Sequence, residues 1–131
     1  MRENIVQDVK EEQKDTEYLV MVYGSLKKNF HNHHLLHTSE LLGEQKTAEE
    51  YTMYGLGGFP AIKEGGSTSI CGEVYKVDDP TFKRLDRLEG YPHFYNRKEI
   101  ETSYGTAWIY YIKDADSLKS NKVIESGIWE R

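Results

Sequence analysis

Apolar residues in this chain cluster into short runs separated by long polar stretches. The first run, Tyr18-Leu19-Val20-Met21-Val22-Tyr23, is continuous, the pattern of a strand buried on both faces, and it stops at Gly24-Ser25. A helical stretch is expected from His33 to Leu42, then an alternating strand segment from Thr47 to Gly55. Gly57-Gly58-Phe59-Pro60-Ala61-Ile62 is a sharp turn into a short strand, and Gly65-Gly66-Ser67 marks a loop. Ile70 to Val77 is expected as a strand and Pro80 to Glu89 as a helix. Tyr95 to Ile100 with Ala107 to Ile112 form a closing hairpin. From Asp114 the tail is polar until Ile128-Trp129, which is expected to dock on the body. Mixed strands with only two helices predict an α+β domain. Residues 1–17 are highly charged, with only Ile5, Val6 and Val9 to bury. They are expected as an N-terminal arm or marginal helix, and the folded domain as residues 18–131.

The helix from Pro80 carries the most telling carboxylate. Its start has an Asp cap followed by Pro at the first helical position, in Asp78-Asp79-Pro80, and Gly90 and Pro92 stop it. Phe82, Leu85, Leu88 and Glu89 share the stripe that faces a core. Glu89 thus meets low dielectric at the negative end of a helix macrodipole, and both effects raise a carboxyl pKa, as proton transfer requires. The alternative is that Glu89 curls back to solvent or pairs with Arg87 or Arg97.

Composition narrows the classes. At 131 residues the chain is expected to form one domain, long enough for a single core. A net charge of -5, without a basic block interleaved with aromatics, argues against nucleic-acid binding. No apolar run reaches membrane-spanning length, and the charged N-terminus lacks the apolar core of a signal peptide. A single cysteine, Cys71, excludes an intramolecular disulfide and fits a reducing cytosol, so a cytoplasmic location is expected. Cys71 lies in an expected strand, as a packed small side chain and not a nucleophile. Ten of the sixteen aromatic residues are Tyr, which suits either a β-rich core or the lining of a polar pocket.

Four pieces bear chemistry. Tyr23-Gly24-Ser25-Leu26 ends the buried strand, where glycine lets successive N–H groups converge on one anionic or oxyanionic atom; an ordinary turn is the alternative. Gly57-Gly58-Phe59-Pro60 is a tight approach able to wall a pocket, or again a turn. Glu89 is the third. The fourth is Tyr95-Asn96-Arg97, which puts a phenol and a guanidinium on one strand face toward the site of Glu89, or else toward pairing on the sheet surface.

In order and at this separation, these pieces resemble the γ-glutamyl cyclotransferase-like superfamily, most closely its γ-glutamylamine cyclotransferase and AIG2-like branch. The resemblance spans about Tyr18 to Ile112. It rests on V-Y-G-S-L (Val22 to Leu26) with Lys27 and Asn32-His33, then G-G-F-P-A (Gly57 to Ala61) and G-E-V-Y (Gly72 to Tyr75). It ends in L-D-x-L-E-G-x-P-x-x-Y-x-R from Leu85 to Arg97. It implies a small mixed β-barrel with flanking helices and cyclisation of a γ-glutamyl amide to 5-oxoproline with release of an amine. By position, Glu89 matches the catalytic acid/base. Tyr23, Gly24, Ser25 and Leu26 match the loop that holds the α-amino-acid end of the substrate; Gly58 and Phe59 fall in the G-G-F-P-A block, and Tyr95 matches a pocket tyrosine. Asn29 departs from the glycine usual in relatives.

The implied partner is a small γ-glutamyl compound, with no cofactor and no metal. Two other readings compete. His33 and His37 have the i, i+4 spacing of helical metal ligands within the cluster His31, His33, His34 and His37, but no acidic third ligand is near. A binding module for a small anionic or amide ligand, or an enzyme of different substrate class, can reuse the same pocket. A Ser25–His hydrolase lacks a nucleophile elbow.

Overall fold

The computed structural model describes residues 16–114, 118 and 121–130. The expected arm lies outside these residues apart from Thr16 and Glu17, and Glu17 already opens the first strand. The strands are β1 (Glu17–Val22), β2 (Glu40–Lys46), β3 (Tyr51–Gly55), β4 (Pro60–Glu64), β5 (Cys71–Asp78), β6 (Asn96–Thr102), β7 (Gly105–Tyr111) and β8 (Lys122–Val123), and helix α1 (Asp79–Glu89) follows β5. They form a five-stranded sheet of order β2-β5-β1-β7-β6 and a three-stranded sheet β4-β3-β8.

β1 is the middle strand, antiparallel to β5 and parallel to β7. Its alternate residues enter two separate cores. Val20 and Val22 pack with Tyr75, Phe82 and Leu85, whereas Met21 packs with Met53, Ile62 and Ile109. That two-sided burial is why the run is continuously apolar.

The expected barrel is replaced by two open sheets. Between β4 and the residue after β7, Ile112 N–H donates to Ile62 O at 2.8 Å, and no strand ladder joins the sheets among the described residues. The outer strands β2 and β6 carry Glu40, Glu44, Lys46, Lys98, Glu99 and Glu101, charges that suit solvent-facing edges. The α+β character remains.

The helix expected from His33 to Leu42 is only a 3-10 turn over His33–Leu36. Its single buried residue is Leu36, too little for an amphipathic helix. The chain from Glu40 instead takes the free edge of β5, with a register shift between Leu41 and Gly43. The strand expected from Thr47 begins at Tyr51, because residues 47–50 form a turn in which Glu50 N–H bonds Ala48 O.

Helix α1 is capped one residue earlier than the Asp79–Pro80 pattern suggests: Asp78 Oδ1 accepts the Thr81 N–H at 2.9 Å. Gly90 ends it with a left-handed φ of 67°. Phe82 and Leu85 are buried as expected, but Leu88 is 42% exposed. In the tail, Trp129 accepts the Lys27 ammonium on its carbonyl at 2.8 Å, while Ile128 faces solvent. No helix among the described residues is long and apolar enough to cross a membrane.

Candidate functional site

Beyond the end of β1, beside the last turn of α1, lies a cavity of about 310 Å³. Its wall contains Tyr23, Gly24, Ser25, Leu26, Gly58, Phe59, Glu89 and Tyr95, residues separated by up to 72 positions in the chain. Pro60, Leu88, Phe94, Tyr110, His31 and Asn32 complete much of the lining.

The Gly24–Leu26 loop has its carbonyls occupied and its amides open. Gly24 O accepts from Lys27 N–H at 3.0 Å and Ser25 O from Asn32 N–H at 2.9 Å. Leu26 O takes the His33 Nδ1 proton at 3.0 Å. Asn32 Nδ2 also donates to Ser25 Oγ at 2.9 Å, locking the loop from a second side. Among the described residues no acceptor is bonded to the N–H groups of Gly24, Ser25 or Leu26. A loop held through its carbonyls, with free N–H groups at a cavity, is suited to an anionic or oxyanionic atom.

Glycine is required at position 24 by close approach and not by backbone angle. A Cβ there would stand 2.8 and 2.9 Å from Pro60 Cδ and Cγ. The Pro60 carbonyl in turn accepts the Tyr95 hydroxyl at 2.5 Å. The departure at Asn29 has a backbone cause: its φ is 75°, the left-handed region that glycine occupies freely and asparagine tolerates.

Both candidate phenols are committed to structure. Tyr23 donates to Tyr110 O at 2.7 Å and is buried, so burial pushes its pKa well above the usual phenol value. Tyr95 is also pushed up, first by burial and then by the nearby Glu89 charge. Both residues line the cavity, and their hydroxyls bond the carbonyls of two other lining residues, Tyr110 and Pro60.

Glu89 differs. It is half-buried, and among the described residues its carboxyl has no hydrogen-bond or ion-pair partner. Desolvation by the surrounding protein raises its pKa to about 7. The pairing with Arg97 that the sequence left open is absent. Arg97 Nε and Nη2 instead bond Asp86 Oδ1 and Oδ2 at 2.9 and 3.2 Å. Its guanidinium also lies 4.6, 4.2 and 4.5 Å from the ring centroids of Phe82, Tyr91 and Trp108. The expectation that Tyr95 and Arg97 share a strand face toward Glu89 is corrected accordingly. Tyr95 precedes β6, and Arg97 is held away from the cavity by an acid and three rings.

Tyr110, which the sequence reading missed, links these regions: it lines the cavity and its hydroxyl donates to Asp86 Oδ1 at 2.7 Å. One of two adjacent tyrosines in an apolar strand, it gives no sign of that role in the sequence. Asn32 was visible only as part of the Y-G-S-L resemblance. The histidines do not assemble: His33, His34 and His37 each turn Nδ1 to a backbone carbonyl, and no group of three metal-ligating side chains occurs among the described residues. Lys27 is buried, which lowers its pKa, and its ammonium is turned to the tail.

Residues 20–131 match the family model described as gamma-glutamyl cyclotransferase, AIG2-like. A Vibrio cholerae relative is 46% identical over 113 residues, covering 86% of this chain and 96% of its own. The gamma-glutamylcyclotransferase family protein YtfP of Escherichia coli K12 is 40% identical over 111 residues, covering 84% and 94%. Among solved structures, an uncharacterized protein from Pyrococcus horikoshii superposes with a TM-score of 0.73 at 29% identity, over 85% of this chain and 88% of that one. An AIG2-like protein from Mus musculus shares the fold, with a TM-score of 0.72 at 23% identity over 84% and 87%.

Proposed function

Because the chain belongs to the gamma-glutamyl cyclotransferase, AIG2-like family, we propose that it closes the γ-glutamyl end of a small amide into 5-oxoproline and releases the amine, with Glu89 carrying the protons. The observation that supports this most is the unpaired Glu89 carboxyl in the same cavity as the open N–H groups of Gly24 to Leu26. The substrate class follows the family, and the free thiol of Cys71 fits a cytoplasmic setting.

The substrate brings its own nucleophile. Its α-amine attacks the γ-carbonyl to form a five-membered ring, and an aligned intramolecular attack can supply about 7–11 kcal/mol of the barrier. A new C–N bond to the α-nitrogen forms and the amide C–N bond breaks. Net, two protons leave the α-nitrogen and two reach the departing nitrogen, and no water is consumed. A carboxyl with a pKa of about 7 is about half ionised at neutral pH, so it can accept a proton and return it. The amides of Gly24 to Leu26 are suited to the substrate carboxylate or to the tetrahedral oxyanion.

The test is to incubate the purified protein with γ-glutamyl amines, γ-glutamyl amino acids and glutathione and to measure 5-oxoproline. Product from at least one, abolished in Glu89→Gln, is expected. Absence of product across the panel, with ligand binding retained, would make the cavity a binding module instead.

A further inference from the structure

Three of the large apolar side chains left exposed, Phe59 at 39%, Leu88 at 42% and Phe94 at 49%, stand on the wall of the Glu89 cavity. They come from three places: the turn between β3 and β4, the last turn of α1 and the loop after Gly90. The Phe59 and Phe94 rings meet edge to face with centroids 6.3 Å apart, and Phe94 packs edge-on against Tyr95 at 4.9 Å. Phe94 is fixed by its N–H, which bonds Gly90 O at 2.7 Å. Exposed apolar residues are ordinary when scattered, but grouped around a cavity with a polar interior they mark a binding surface.

Charge sharpens the picture. Among the described residues the cavity lining contains no Lys, Arg or Asp, and its one carboxylate is Glu89. The two cations nearest in the sequence motifs are committed elsewhere, Lys27 to the Trp129 carbonyl and Arg97 to Asp86. A leaving group bearing a carboxylate would meet Glu89 and no countercharge at this rim.

We infer that the amine released by this site carries an apolar, preferably aromatic, substituent that rests on Phe59, Leu88 and Phe94, and that γ-glutamyl amides of amino acids are poor substrates. This rests on the cyclotransferase reading above. The glutamyl end sits inside, at Gly24 to Leu26 and Glu89, and the substituent of the departing nitrogen extends to the rim.

The experiment compares 5-oxoproline formation by the full chain from γ-glutamyl-benzylamide, γ-glutamyl-methylamide and γ-glutamyl-glycine. The benzylamide should exceed both others in kcat/KM by about tenfold or more, the scale of discrimination that apolar pockets supply. Phe94→Ala and Leu88→Ala, two exposed positions whose truncation removes little core, should each bring the benzylamide-to-methylamide ratio toward one. Turnover of the methylamide without a benzylamide preference, or a preference that survives both substitutions, overturns the inference while leaving the cyclotransferase reading intact. No 5-oxoproline from any amide removes that reading and the inference with it.

Discussion

Asp86 and Glu89 stand three residues apart on α1, one helical turn from each other, and meet opposite surroundings. Asp86 accepts two hydrogen bonds from Arg97 and one from the Tyr110 hydroxyl. Glu89 accepts none among the described residues and has its pKa raised to about 7 by burial. The two are carboxylates on one helix, so the difference comes from what β6 and β7 bring to each. Arg97, enclosed by Phe82, Tyr91 and Trp108 and fastened to Asp86, is unavailable to Glu89. The paired acid fastens the end of the helix to the sheet, and by holding the arginine it leaves the second acid uncompensated at the cavity.

Three substitutions separate these roles. Glu89→Gln should cost the most activity, about 10²–10⁴-fold in kcat, with urea unfolding unchanged or shifted toward higher stability at pH 8. A variant that keeps more than a third of the wild-type rate removes Glu89 from the chemistry. Asp86→Ala should show the reverse balance. It leaves a largely buried guanidinium and a phenol without their acceptor, and should lower unfolding free energy by roughly 3 kcal/mol, the low end for a broken buried pair. Wild-type stability in that variant would reduce the Asp86–Arg97 pair to a surface contact. Gly24→Val should cost stability as well, about 1–3 kcal/mol, by driving a side chain into the Pro60 ring. Its kinetics should suffer as well, because the open amides shift relative to Glu89 while the bonds of Asp86 are untouched. Normal kcat and KM would make the loop a plain turn.

Legibility in the sequence followed burial. β1 was visible because both faces are buried, and α1 because Asp78, Pro80 and Gly90 punctuate it. β2 was not: Glu40–Lys46 is an exposed edge strand with no apolar alternation, and its hydrogen bonding to β5 is decided by a partner about thirty residues away. The two-residue β8 carries no pattern at all. The candidate site residues, which line one cavity, were grouped by the motif resemblance, which named Glu89 together with Tyr23 to Leu26 without any geometry. The Arg97–Asp86–Tyr110 network was hidden because each of its contacts joins the helix to β6 or β7. Spacing along one strand pointed Arg97 toward the cavity, and tertiary packing sent it the other way.

The raised pKa also fixes a sign for stability. Between the ordinary carboxyl value of 4.5 and about 7, folded Glu89 keeps a proton that the unfolded chain has released. Its contribution to stability therefore declines as pH rises through that window and reaches its least favourable value above about 7. The most direct measurement is a carbon-13 NMR titration of the Glu89 carboxyl in the free protein, assigned by comparison with Glu89→Gln. A midpoint near 7 is the predicted result. A midpoint at or below 4.5 would mean that the carboxyl is solvated or paired, and would contradict the account of Glu89 as the uncompensated acid of the site.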